Sequence, residues 1–195
     1  MSRPAFTVLD PAGYRRTPWK NGGGVTIDIA AAYRPGADPG GWNGMLWRFG
    51  RTRIEQPGPF SDLSGYDRIL AVVEGRGLVL HPKFRAPLDV HTPFAPVHFP
   101  GEWAITSELT AGPVGVLNLM ADRLLYKIDL AFPAPGGAAE MSGAVCIVLA
   151  LEDSTIDIDG TATPLPRDGA LRVDDAHRLA YALRSGRVAV AAIRD

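Results

Sequence analysis

Apolar and polar positions alternate with a period of two through much of the chain, which puts successive side chains on opposite faces of extended segments. Thr26-Ile27-Asp28-Ile29-Ala30 has this pattern, and so does Met45-Leu46-Trp47-Arg48-Phe49-Gly50-Arg51, with Trp47 and Phe49 on one face and Arg48 on the other. Both are predicted as half-buried antiparallel strands. Residues 69–73 and 78–80 flank Glu74-Gly75-Arg76-Gly77, whose glycines can supply the positive φ angles of a tight hairpin. Residues 114–120 and 126–130 continue the strand pattern. From Ala131 to Gly143 it lapses into two prolines and three glycines, a candidate boundary. Strands resume at 144–151, 155–158 with a turn at Asp159-Gly160, 171–173, 180–183 and 188–193. Many short strands and frequent glycine and proline leave little room for helix and predict an all-β sandwich or barrel in two units.

Composition narrows the function classes. The 195 residues are 46% hydrophobic and 21% charged, with a formal net charge of -1. There is no basic excess to neutralise nucleic-acid phosphates or dock on anionic lipid, so neither nucleic acid nor membrane is an expected partner. The N-terminus has no signal-peptide core, and no apolar run approaches the roughly 18 residues that span a bilayer, which predicts a cytoplasmic protein. The single cysteine, Cys146, sits in an apolar run and is expected to be a buried, inert thiol. The four histidines are too dispersed for a zinc motif, and neither a phosphate-binding loop nor a nucleophile elbow occurs.

The segment Trp19-Lys20-Asn21-Gly22-Gly23-Gly24-Val25-Thr26 is not generic. It resembles the opening motif of the HutD/Ves family. Three further blocks follow in the family's order: Gly58-Pro59-Phe60-Ser61 with Gly65-Tyr66-Asp67-Arg68, then Phe99-Pro100-Gly101-Glu102, then Asn118-Leu119-Met120-Ala121-Asp122-Arg123. Glu102 stands where the family usually has aspartate. The resemblance implies a bicupin, two small antiparallel jelly-roll barrels: an N-terminal barrel over 13–130 and a smaller one over 131–195, with residues 1–12 available to add a strand to it. It also implies a regulatory role beside histidine utilisation, through binding of a small acidic metabolite such as formylglutamate.

Laid over the metal-binding cupin template, the chain has lost its ligands. Anchored at Gly75, the metal-binding glutamate position falls on Arg68, and the histidine positions fall on Ser61 and Leu63, or on Asp62 and Ser64. Anchored at Gly101, the last ligand position falls on Ala104. No metal or other cofactor is therefore expected. A guanidinium in place of a carboxylate repels cations and offers a fork that matches two carboxylate oxygens. Arg68 then needs either an internal acid, with Asp67 and Glu74 near it in sequence, or a ligand anion.

The expected ligand-binding set is Lys20, Asn21, Gly22, Gly23, Arg68 and Asn118, with no catalytic residue assigned. Each has a plainer alternative. The glycines can simply turn the chain, and the Asn118 amide can bridge strands. Phe60 and Trp47 read as core, and Arg123 as half of a surface or interdomain ion pair. The alternative function is a metal-independent isomerase or hydrolase acting on a small acidic substrate, with His98 or Glu102 as base. Barrel edges leave a homodimer open.

Overall fold

A computed structural model describes residues 6–19 and 23–195. Two compact units divide the chain at Leu125/Tyr126, and the described residues before Tyr14 belong with the second. The first strand is β1 (Phe6–Leu9), followed by a single 3-10 turn at Pro11–Gly13. The unit spanning Tyr14–Leu125 then contributes β2 (Arg15–Pro18), β3 (Gly24–Tyr33), β4 (Met45–Ile54), β5 (Gly58–Pro59), β6 (Tyr66–Glu74), β7 (Leu78–Pro82), β8 (Leu88–Val90), β9 (Val97–Pro100), β10 (Ile105–Leu109) and β11 (Val114–Asp122). The unit from Tyr126 contributes β12 (Lys127–Ala131), β13 (Ala138–Ala150), β14 (Ser154–Ile158), β15 (Thr161–Leu165), β16 (Ala170–Ser185) and β17 (Val188–Arg194). The chain is all-β, every pairing is antiparallel, and no helix among the described residues is long and apolar enough to cross a membrane.

In the Tyr14–Leu125 unit a six-stranded sheet, β2-β3-β4-β11-β6-β9, and a four-stranded sheet, β5-β10-β7-β8, share one apolar core. Leu70, Val72, Val114 and Val116 from the larger sheet and Leu78, Leu80 and Ile105 from the smaller belong to it. The predicted hairpin at 74–77 is not one. β6 pairs with β11 and β9, whereas β7 pairs with β10 and β8, so the turn carries the chain from one sheet to the other. Gly75 and Gly77 do adopt positive φ, 93° and 92°. Their smallness also lets that turn lie against its neighbours: a Cβ on Gly77 would sit 2.6 Å from the Cα of His91.

The half-buried strand expected at 45–51 is also corrected. Trp47 and Phe49 are 2% and 0% exposed, and Arg48, on the other face, is only 4% exposed. β4 is buried on both faces, which a period-two pattern does not distinguish when the inward polar residue is an arginine.

In the other unit a seven-stranded sheet runs β12-β17-β13-β16-β14-β15, and β1 pairs along β16, Phe6 opposite Val173 and Leu9 opposite Ala170. A unit boundary at 130/131 would cut through the end of β12, which pairs with β17 from Lys127 to Ala131. The two strands expected at 171–173 and 180–183 are one strand, β16, 16 residues long. Its partner β13 slips register between Met141 and Gly143, and β16 carries left-handed residues at Asp175 and Arg178. This bulge lets the strand bend while both ends stay paired. Met141, Cys146, Val148, Ile156, Val173 and Leu183 are part of a filled apolar interior.

Candidate functional site

A cavity of about 480 Å³ opens on the inner face of the six-stranded sheet, within the range of small-molecule sites. Strand register explains its floor. Arg48 on β4 lies opposite Met120 on β11, which lies opposite Arg68 on β6, which lies opposite Phe99 on β9. Two residues along, and so on the same face, Asp28, Gly50, Asn118 and Leu70 form the next row. Residues directly opposite in register share a face, so arginines 48 and 68 enter the same space from strands separated by β11.

The two arginines are in opposite states. Arg48 is neutralised: its Nε and Nη2 both lie 2.5 Å from Asp28 Oδ1, the side chains being 5% and 9% exposed. Gly50 makes room for this pair, since a Cβ there would meet Ile27 O at 2.9 Å and Asp28 Oδ1 at 3.5 Å. The ring of Trp42 lies 5.1 Å from the Arg48 guanidinium.

Arg68 is 6% exposed, and its Nε has no hydrogen-bond partner. Among the described residues no carboxylate pairs with it. The two acids near it in sequence are engaged elsewhere: Asp67 with Arg123 at 3.2 Å and Glu74 with Arg51 at 3.0 Å. Its guanidinium rests against two adjoining rings, 5.0 Å from the centroid of Phe60 and 5.1 Å from that of Phe99, the rings themselves being tilted by 48° with centroids 6.4 Å apart. Cation–π contact offsets part of the desolvation cost and fixes the plane of the fork. Burial pulls the guanidinium down to about 10, so it remains a cation at neutral pH.

Gly23 and Gly24 lead into β3. Trp19 N–H donates to Gly24 O and Glu55 N–H to Gly23 O, both at 2.9 Å. Gly24 touches the backbone of β4: a Cβ there would lie 2.4 Å from Arg53 O. Glycine is thus required at position 24 for close approach, and Gly23 is buried beside it. Lys20, Asn21 and Gly22 lie outside the described residues. Trp19 lines the cavity and donates from Nε1 to Thr26 Oγ1 at 2.9 Å, and Thr26 shares a hydroxyl contact of 3.2 Å with Thr52. Asn118 also lines the cavity, with its Oδ1 buried and unpartnered. Phe60 proves to be both core and cavity wall, whereas Trp47 does not line the cavity.

The remaining motif blocks meet behind Arg68 and hold β6 in place. Leu63 N–H donates to Gly101 O at 3.0 Å, and Gly101 N–H donates to Tyr66 O at 2.8 Å. Arg123 grips Glu102 with both terminal nitrogens, Nη1 to Oε1 at 2.8 Å and Nη2 to Oε2 at 2.5 Å, and donates to Tyr66 O at 2.6 Å. Hydrogen bonding from Arg123 holds the Glu102 carboxyl below its usual range. Arg123 is therefore a clamp within its own unit.

Ser61 and Leu63 line the cavity beside Arg68, but Ala104 is exposed and does not. Among the described residues no group of three or more histidine, cysteine, aspartate or glutamate side chains could hold a metal. The histidine and glutamate donor set of cupin metal sites is not present around this cavity among the described residues. His98 is exposed, and Glu102 is bound to Arg123; neither lines the cavity. Sequence reasoning missed the Arg48–Asp28 pair and Trp42. The usable signal was a charged residue at the centre of each of two apolar strands, with Gly50 two residues beyond Arg48.

Two facing antiparallel sheets with a cavity on an inner face define an all-β, cupin-like protein, and solved structures at 12% and 8% identity share that fold alone. The chain belongs to the HutD family, whose model matches residues 11–190. It is 31% identical over 164 residues to an uncharacterized 21.2 kDa protein in the hutC 3' region of Pseudomonas putida, covering 83% of this chain and 82% of that one. A conserved protein of unknown function from Pseudomonas aeruginosa superposes with a TM-score of 0.83 at 25% identity, over 98% of this chain and 100% of that one. HutD from Pseudomonas fluorescens superposes with a TM-score of 0.80 at 26% identity, over 97% and 98%.

Proposed function

We propose that this protein binds a small carboxylate metabolite in the Tyr14–Leu125 cavity, with Arg68 as the carboxylate clamp, and that binding rather than turnover is its task. The observation that carries this reading is a guanidinium that is 6% exposed, rests against two adjoining rings and is unpaired with any described carboxylate. An uncompensated buried charge costs several kcal/mol, and an arriving anion would supply the missing partner. Gly23, Asn118 and the neighbouring Lys20, Asn21 and Gly22 complete the proposed binding set. The same reading takes each unit as a cupin-like jelly-roll barrel, the second filled by its own side chains.

The metabolic context comes from relatives. One is named for the hutC 3' region and another is HutD itself, which supports a place in histidine utilisation; the role proposed for this chain there is regulatory and cytoplasmic, with a homodimer left open. The enzymatic alternative loses support because neither His98 nor Glu102 reaches the cavity. Thermal-shift screening against formylglutamate, formiminoglutamate, urocanate and glutamate tests the proposal. A ligand at a hundredfold excess over Kd stabilises by about 2.7 kcal/mol. Absence of any shift with all four would remove this ligand class.

A further inference from the structure

Three strand ends of the four-stranded sheet bring together a carboxylate, an imidazole and a hydroxyl, none of which lines the cavity. β7 is flanked by β10 and β8, with Leu109 opposite Leu78 on one side and Val90 opposite Leu78 on the other. One residue beyond those pairs, Thr110 and His91 stand on either side of Gly77, and Thr110 N–H donates to Gly77 O at 3.2 Å. Neighbouring strands are about 4.8 Å apart, so His91 and Thr110 have a whole strand between them. Glycine removes the obstacle: a Cβ at position 77 would lie 2.6 Å from His91 Cα and 3.0 Å from His91 Cδ2. The imidazole crosses this gap, and its Nε2 meets Thr110 Oγ1. Asp89 Oδ1 accepts from the ring Nδ1 and, at 2.9 Å, from the His91 backbone N–H.

Which ring nitrogen carries the proton follows from the acid. Hydrogen bonding from His91 holds the Asp89 carboxyl below its usual range, so at neutral pH it is ionised and can only accept. Nδ1 must then be the N–H, which leaves Nε2 of the neutral ring to accept from the Thr110 hydroxyl. The order is the one that prepares an oxygen nucleophile: the base touches the hydroxyl, and the carboxylate fixes the tautomer of the base. Thr110 is exposed and His91 half-buried, so a small electrophile can reach the oxygen.

We infer that Thr110 is an acyl-acceptor site, with His91 as its general base and Asp89 as the residue that positions His91. The donor is an activated acyl ester or thioester. Thr110 Oγ1 attacks the acyl carbon as its proton passes to His91 Nε2; the new C–O bond forms, the bond to the leaving group breaks, and the proton departs from His91 with the alkoxide or thiolate. Oxidation states do not change, and the product is a chain carrying an acyl ester on Thr110. The trio is thus a modification site, independent of the carboxylate cavity.

The probe is p-nitrophenyl acetate, with labelling followed by mass spectrometry and peptide mapping. In wild type Thr110 is expected to take up acetyl at least tenfold faster than any other hydroxyl of the chain. His91→Gln and Asp89→Asn should each slow labelling of Thr110 at least tenfold, the first by removing the base and the second by freeing its tautomer. Thr110→Ser should keep the label, and Thr110→Val should lose it. Labelling is read where melting curves show each variant folded; if His91→Gln does not fold, Asp89→Asn and the two Thr110 variants still decide. An unmodified Thr110 in wild type, or labelling that His91→Gln leaves at the wild-type rate, would overturn the inference and reduce the trio to a clip between strand ends. Release of p-nitrophenolate by Thr110→Val as fast as by wild type, with acetyl on His91, would overturn Thr110 as the acceptor. An unchanged rate in Asp89→Asn would overturn the positioning role.

Discussion

A buried guanidinium that rests against two aromatic rings and meets no carboxylate among the described residues is a costly arrangement that binding can relieve. Its pKa falls because burial disfavours the charged form. The sign matters for ligand binding: a base holds its charge below its pKa, so Arg68 attracts an anion below about 10 and loses that attraction above it. Carboxylate affinity should therefore be flat from about pH 6 to about pH 9, where the ligand stays ionised, and should fall as pH rises through 10. Titration calorimetry across that range would show it; a fall centred between pH 6 and pH 7 would point to a histidine instead. Arg68 was legible in the sequence because the metal-binding cupin template has its glutamate ligand where this chain has arginine. Arg48 was not, because alternation assigns it to the face opposite Trp47 without saying whether that face meets water.

At the scale of elements, the start of β3 is built for contact. Gly24 lies so close to β4 that a Cβ would meet Arg53 O at 2.4 Å. Gly24→Ala should therefore destabilise the protein by about 1–3 kcal/mol through overpacking, measured by urea denaturation. A change below a few tenths would mean that the β2–β3 junction yields freely. Most strands were readable from period-two patterning, but their partners were not. The turn at 74–77 carries hairpin residues, yet β6 and β7 belong to different sheets. Turn chemistry fixes the local bend, whereas pairing depends on which strands return from far along the chain. For β16 the gap between two readable strands is a bulge at Asp175 and Arg178, positions where polar residues broke the alternation without ending the strand.

For the whole molecule, the two units carry separate natural probes. All four tryptophans lie between Tyr14 and Leu125, and the single cysteine lies in the other unit. Burial pushes the Cys146 thiol up to about 11, and the residue is fully buried. It should resist thiol reagents in the native protein and react only as its unit unfolds. Rapid native labelling would contradict that interior.

The most direct test of the central claim compares melting temperatures of wild type and Arg68→Met, each with and without a bound carboxylate from the thermal-shift screen. Removing an unpaired buried charge should raise the melting temperature of the free protein by several degrees, since each kcal/mol is worth about 2–4 °C at this size. The same substitution should abolish stabilisation by the ligand. A free Arg68→Met protein that melts below wild type, or one that still responds fully to the carboxylate, would contradict the account.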